Sequence, residues 1–187
     1  MNTIFTSAFL GLFLLSNQGA AVAAQPALAP VQYHVAMTGY NAVPEQTDES
    51  PFVTASGAYS DPDIVVARSV DLADDLPFGT VIEVVPGTTT PTCGVGLVND
   101  FIGLRVVADS MHPRKRNQID ILFHADDFLK AGGRMVNPAI ALGVCSDVGV
   151  RVVGHVDVNH MPKTQAELAA MIGLKPDASR APLAYSK

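Results

Sequence analysis

Six short runs rich in Val and Ile, each bounded by residues that interrupt regular structure, constrain this chain more than any other feature. They fall at 31–40, 64–70, 80–85, 103–109, 118–123 and 149–158. In the first, Val31, Tyr33, Val35 and Met37 alternate with Gln32, His34, Ala36 and Thr38, the period-two pattern of a strand with one buried face. Asp61-Pro62, Pro77-Phe78-Gly79 and Pro86-Gly87 punctuate the runs, and the threonine-rich stretch 88–92 reads as a loop. A mainly β domain of six strands follows. Residues 125–131 carry acids at the start and Gly132-Gly133 beyond the end, which predicts one short helix. Thr164-Gln165-Ala166-Glu167 is a capping box that opens a second through Leu168, Ala169, Met171 and Ile172, closed by Gly173. The Pro-, Ala- and Ser-containing end after Gly173 reads as extended or disordered, and no repeat or low-complexity segment stands elsewhere.

Residues 1–24 contain no charged side chain, an apolar run at 8–15 and the small residues Ala21-Val22-Ala23-Ala24, a pattern that reads as a secretory signal peptide. The run is too short to span a bilayer, although the missing Lys or Arg leaves an uncleaved anchor as the alternative. Cleavage leaves 163 of the 187 residues, enough for one domain, and keeps the net charge at −6. An acidic chain without aromatic-basic clusters is a poor nucleic-acid binder. The expectation is an exported monomer, periplasmic or extracellular, without nucleic-acid partner and without membrane contact after cleavage. Cys93 and Cys145 are the two cysteines, and an even pair in an oxidising compartment is most simply a disulfide, the alternative being two buried thiols.

Asp109 ends the fourth run and Asp120 stands inside the fifth, with ten residues between them. A hairpin of that length joining adjacent strands brings both acids to one side of a sheet, where repulsion and partial burial raise the pKa of one. That is the equipment of a general acid. The plainer readings are a solvent-facing aspartate at 120 and a strand-end cap at 109. Arg114-Lys115-Arg116 lies between them, either a solvated hairpin tip or a cationic patch able to hold carboxylates and lower the pKa of the aspartates. After the first strand comes a polar loop with Tyr40, Glu45, Gln46, Thr47 and Asp48, and before the second comes Thr54-Ala55-Ser56-Gly57. Hydroxyl-rich ligands are held by neutral donors and acceptors beside an aromatic platform, the mixture Tyr40, Thr54 and Ser56 supply, unless these residues satisfy their own backbone. Glu45 is a rival acid. The five histidines lack zinc-ligand spacing, and no nucleophile elbow, phosphate loop or dinucleotide fingerprint appears, so neither metal nor cofactor is expected.

Taken in order, the segment 37–48, Thr54-Ala55-Ser56-Gly57, Asp71 ahead of Leu76-Pro77-Phe78-Gly79-Thr80, and two aspartates eleven positions apart (120 minus 109) resemble the three-aspartate (3D) domain across 31–156. That family includes the catalytic barrel of membrane-bound lytic transglycosylase A and is akin to rare lipoprotein A and the expansins. The resemblance implies a six-stranded double-psi β-barrel with one or two short helices. Together with the readings above, it divides the chain into a signal peptide at 1–24, a barrel domain at 25–162 and, beyond the match, a short helix with a flexible tail at 163–187. It also implies cleavage of the bond between N-acetylmuramic acid and N-acetylglucosamine in peptidoglycan. The aspartate closing the family motif Asp-Thr-Gly-Gly-x-x-x-Gly-x-x-x-Asp is its catalytic acid, which by position is Asp120. The opening aspartate maps onto Asp109, and the first of the three onto Asp71. Substrate contacts are expected from Tyr40, Glu45, Gln46, Thr47, Asp48, Thr54, Ser56 and Arg114. The chain departs from the pattern at Met111-His112, where the family has two glycines, and in a longer connection at 86–103. That departure keeps two other readings open: a non-catalytic, expansin-like wall-binding barrel, and a secreted protein-interaction domain.

Overall fold

The computed structural model describes residues 32–45, 47, 50–85 and 93–174. In chain order the elements are β1 (Tyr33–Asn41), β2 (Val65–Arg68), a 3-10 turn (Val70–Leu72), β3 (Thr80–Val85), α1 (Val95–Ile102), β4 (Leu104–Ser110), β5 (Gln118–Phe123), β6 (Leu129–Ala131), β7 (Arg134–Val136), α2 (Pro138–Leu142), β8 (Cys145–His155), a second 3-10 turn (Val158–His160) and α3 (Gln165–Met171). Six strands close a mainly β barrel in the order β1-β5-β2-β4-β3-β8. β1 runs parallel to β5 and β2 parallel to β4, and the remaining pairs are antiparallel. Four pairs of consecutive barrel strands are therefore split: β5 lies between β1 and β2, β4 between β2 and β3, β2 between β4 and β5, and β1 between β5 and β8, the crossed topology of a double-psi barrel.

This corrects the expected hairpin. β4 and β5 are antiparallel but not neighbours, and the connection between them, residues 111–117, steps over β2. The helix expected at 125–131 is also absent, as is the one the family resemblance suggested there. Residues 129–131 form β6, paired with β7 across Gly132 (φ 56°) and Gly133 (φ 81°). Two consecutive residues at positive φ are what a tight hairpin turn demands, and so short a polar segment cannot recover the cost of helix nucleation by itself. Two helices were not anticipated. α1 lies in the connection before β4, and α2 begins at Asn137, whose side chain accepts from the Ala139 amide with Pro138 in the first turn. α3 starts at the expected N-cap: Thr164 accepts from Glu167 N, while the Glu167 carboxylate reaches one residue beyond the capping-box position to accept from Lys163 N, and Gly173 follows at φ 70°. The signal segment, the threonine-rich loop at 88–92 and the end beyond 174 lie outside the described residues.

Strand alternation builds two apolar layers. Val35, Met37, Val66, Ile82, Val107, Ile119, Ile121, Val148 and Val150 fill the barrel interior. The opposite faces of the same strands present Tyr40, Val65, Ala67, Val106, Ala108 and Leu122, covered by Ala58 and Ile64 from the β1–β2 connection and by Leu168 from α3. Burying each large aliphatic side chain contributes about 1.5–3 kcal/mol. Arg105, fully buried in the wall, donates to the carbonyls of Phe101 and Ile102 at the end of α1 and to those of Pro62 and Leu122. Cys93 and Cys145 are disulfide-bonded with Cα atoms 5.1 Å apart, which ties the start of α1 to the start of β8. Closing a loop over a separation of 52 residues stabilises the fold by about 4 kcal/mol in the chain-entropy picture. Among the described residues no helix is long and apolar enough to cross a membrane.

Candidate functional site

The outer layer is left uncovered over β1, β5, β2 and β4, and there a cleft of about 570 Å³ opens. Ala67 forms its floor. On β2, Ala67 is paired with Asp120 of β5 on one side and with Asp109 of β4 on the other. Asp120 shares the face of Ala67 by register, and a shift of register between Val66 and Ala67 turns Asp109 to that face too, so both carboxylates enter the cleft from strands two spacings apart, with Cα atoms about 10 Å from each other. A methyl group between them leaves room for a ligand.

The two acids sit in different environments. Thr38, the register partner of Asp120 on β1, donates its hydroxyl to Asp120 Oδ1 at 2.8 Å and accepts from Gln118 Nε2 at 2.8 Å. Because Gln118 occupies the Thr38 lone pair, the Thr38 proton points to the carboxyl. Among the described residues Asp120 Oδ2 has no hydrogen-bond partner. Burial pushes Asp120 up to about 6, the Asp109 charge adds slightly, and the Thr38 hydrogen bond and the Lys115 charge oppose the rise. At pH 7 roughly a tenth of such carboxyls carry a proton.

Asp109 instead receives three donors: Tyr40 OH on Oδ2, and the amides of Ala55 and Ser110 on Oδ1, each at 2.9 Å. Burial and the Asp109 charge push the Tyr40 phenol far above its usual value, so it remains a donor. Tyr40 lines the cleft but is buried, and its ring is a wall with the hydroxyl turned to Asp109 rather than an open platform.

Thr47 and Thr54 also line the cleft; Glu45 is exposed and Ser56 half-buried, and neither lines it. The Thr54 hydroxyl donates to Ala58 O, so in its contact with Ser56 at 3.0 Å the Ser56 hydroxyl is the donor, and both protons are spent within the turn. Gln46 and Asp48 lie outside the described residues. Arg114 is exposed and away from the cleft, which Lys115, His112 and Met111 line from the same connection.

Asp71 is not at the cleft. It lies exposed in the first 3-10 turn, where its Oδ2 accepts from Asn117 N at 2.9 Å, and hydrogen bonds from the Ser69 side chain and that amide hold its carboxyl below the usual range. Asn117 is the one non-glycine residue at positive φ (45°) among those described, so Asp71 secures the strained entry to β5.

Thr38, Gln118 and Ala67 are site residues that sequence reasoning left unassigned, and of the basic patch at 114–116 it is Lys115 rather than Arg114 that lines the cleft. Gln118 and Asp120 carry an i, i+2 signal on one face of a strand, and Thr38 stood on the polar side of the alternation. Among the described residues no group of three or more His, Cys, Asp and Glu side chains is placed to hold a metal ion. No family model and no curated protein matches the chain.

Proposed function

We propose that this protein cleaves peptidoglycan glycan strands as a lytic transglycosylase, with Asp120 as both acid and base. One observation carries the reading: a carboxyl raised to about 6 by burial, oriented by Thr38 through one oxygen, lines an open cleft on a rigid sheet. A pKa near the working pH suits a group that must both give and take a proton. Protonated Asp120 delivers its proton to the glycosidic oxygen as the bond to the muramyl anomeric carbon breaks. The resulting carboxylate then accepts the proton of the muramyl C6 hydroxyl as that oxygen attacks the same carbon. The products are a 1,6-anhydro end and a free hydroxyl on the leaving sugar, and no water is consumed. One carboxyl serves both steps, so the two-carboxylate geometry of glycoside hydrolases is not required. Asp109, engaged by three donors, supplies a fixed charge that helps Asp120 hold its proton.

The disulfide fits an exported protein, and the wall as substrate calls for the same compartment. One observation favours a second reading, an expansin-like barrel that binds the wall without cutting it. Met111 and His112 line the cleft where the family resemblance calls for glycines, and they narrow its rim. Mass spectrometry of muropeptides after incubation with sacculi separates the cases: 1,6-anhydro ends for transglycosylation, reducing ends for hydrolysis, and retention on sacculi without release for binding alone.

A further inference from the structure

The β4–β5 connection is pinned at both ends, with Met111 N donating to Arg68 O and Asn117 N to Asp71 Oδ2, each at 2.9 Å. Inside it Lys115 N donates to His112 O at 2.9 Å, a turn that brings Lys115 to the cleft wall. Arg114 and Arg116 do not line the cleft, and the Arg116 guanidinium donates to Pro113 O. One of the three adjacent cations is thus directed at the cleft. Its ammonium forms no ion pair among the described residues. Of the two described carboxylates in the cleft, Asp109 is engaged by Tyr40, Ala55 and Ser110, and Asp120 accepts from Thr38 through one oxygen. A lysine held at the rim of a sugar-sized cleft, in no ion pair among the described residues, is a receptor for an anion carried by the ligand.

We propose that Lys115 binds a carboxylate of the glycan, the lactyl group or the peptide attached to it, and so makes this cleft select anionic over neutral glycan strands. The inference rests on reading the cleft as a glycan site. It has a consequence for the acid. Among the described residues, the charged and titratable groups lining the cleft with Asp120 are Lys115 and His112 from the connection, Asp109 from β4 and Tyr40 from β1; β2 offers Ala67, and the described part of the β1–β2 connection adds no charged side chain. The Lys115 charge draws Asp120 toward its ionised form, and a substrate carboxylate seated on that ammonium cancels the pull. An anionic strand therefore docks and at the same time favours the protonated form of the acid that cuts it, the proton being taken up from solvent.

The test compares peptide-free glycan strands bearing free lactyl carboxylates with the same strands as methyl esters. The wild type is expected to show a kcat/KM roughly tenfold higher on the carboxylate form, the size of one charge-assisted contact at a partly open site. Lys115→Met should bring that ratio close to one and extend activity to higher pH, and Lys115→Arg should retain the preference. Circular dichroism checks folding, with Lys115→Gln replacing the Met variant if that one unfolds. A Lys115→Met enzyme that keeps the full preference overturns the proposal. If the wild type cuts neither strand, the transglycosylase reading fails, and calorimetry on the same two strands decides the Lys115 question. Preference for the carboxylate form that disappears in Lys115→Met upholds it, and equal affinity or no binding of the two forms by the wild type overturns it.

Discussion

Asp109 and Asp120 face one cleft from strands that are not neighbours, because each is a cross-strand partner of the same residue, Ala67 on the intervening β2. The psi crossover therefore does more than close the barrel. It inserts a strand between the two acids, and the small side chain on that strand sets the space between them. A true hairpin would have placed the carboxylates about 5 Å apart, close enough to share a proton; two strand spacings leave room for a sugar.

Ala67→Leu tests that spacing. Three added carbon atoms rise from the cleft floor between the carboxylates, so binding to sacculi should fall at least tenfold. Ala67 is itself buried in the outer apolar layer, so the larger side chain also crowds that layer, and the loss of stability should be about 1–3 kcal/mol. Pull-down with sacculi and thermal unfolding measure the two effects. Unchanged binding by a folded Ala67→Leu protein places the ligand elsewhere.

Asp109→Asn removes the neighbouring negative charge while keeping an oxygen for the amides of Ala55 and Ser110. Asp109 raises the pKa of Asp120, so the substitution lowers it, and the protonated acid is lost at a lower pH. The high-pH limb of the activity profile should move to lower pH, with a fall at neutral pH of roughly twofold to fivefold, far smaller than for loss of the acid itself. A profile unmoved by Asp109→Asn would show that the two carboxylates do not communicate.

Asp120 should also weaken the fold in a defined pH window. Its folded-state pKa of about 6 lies above the ordinary 3.8, so the folded protein holds the proton more tightly than the unfolded chain does. Stability declines as pH rises from about 3.8 through 6, and the full penalty remains above that range. The difference of about two pH units corresponds to roughly 3 kcal/mol at most. Asp120→Asn, whose amide oxygen still accepts from Thr38, should therefore be more stable than the wild type at pH 7 and equal to it near pH 3.5. Urea unfolding of both proteins at the two pH values checks the sign.

The six barrel strands were legible because each is a short run rich in Val and Ile bounded by turn residues, with clear period-two alternation in the first, and Cys93 and Cys145 because an even pair in an exported chain has few alternatives. Strand order was not. The pairing of Thr38 with Asp120 bridges 82 residues through a parallel register, and no local pattern encodes it. Gly132-Gly133 was misread for a physical reason: the same two residues that stop a helix also satisfy the positive φ of a hairpin turn. Asn137-Pro138, by contrast, is an N-terminal helix signal that stood in the sequence and went unused. Among the candidate contacts, Ser56 and Asp71 are polar for the sake of the backbone, Ser56 in its own turn and Asp71 at the entrance to β5. Residue type alone cannot separate such roles from ligand contact.

Asp120→Asn incubated with sacculi beside the wild type tests the central claim. The amide keeps the shape and the Thr38 contact but neither delivers nor accepts a proton at neutral pH. The wild type should release 1,6-anhydromuropeptides, and the folded variant should bind sacculi equally while its release falls by a factor of about a hundred to ten thousand. Undiminished release of anhydromuropeptides by Asp120→Asn, or equal binding by both proteins with no release from either, would contradict the assignment of Asp120 as the acid and base.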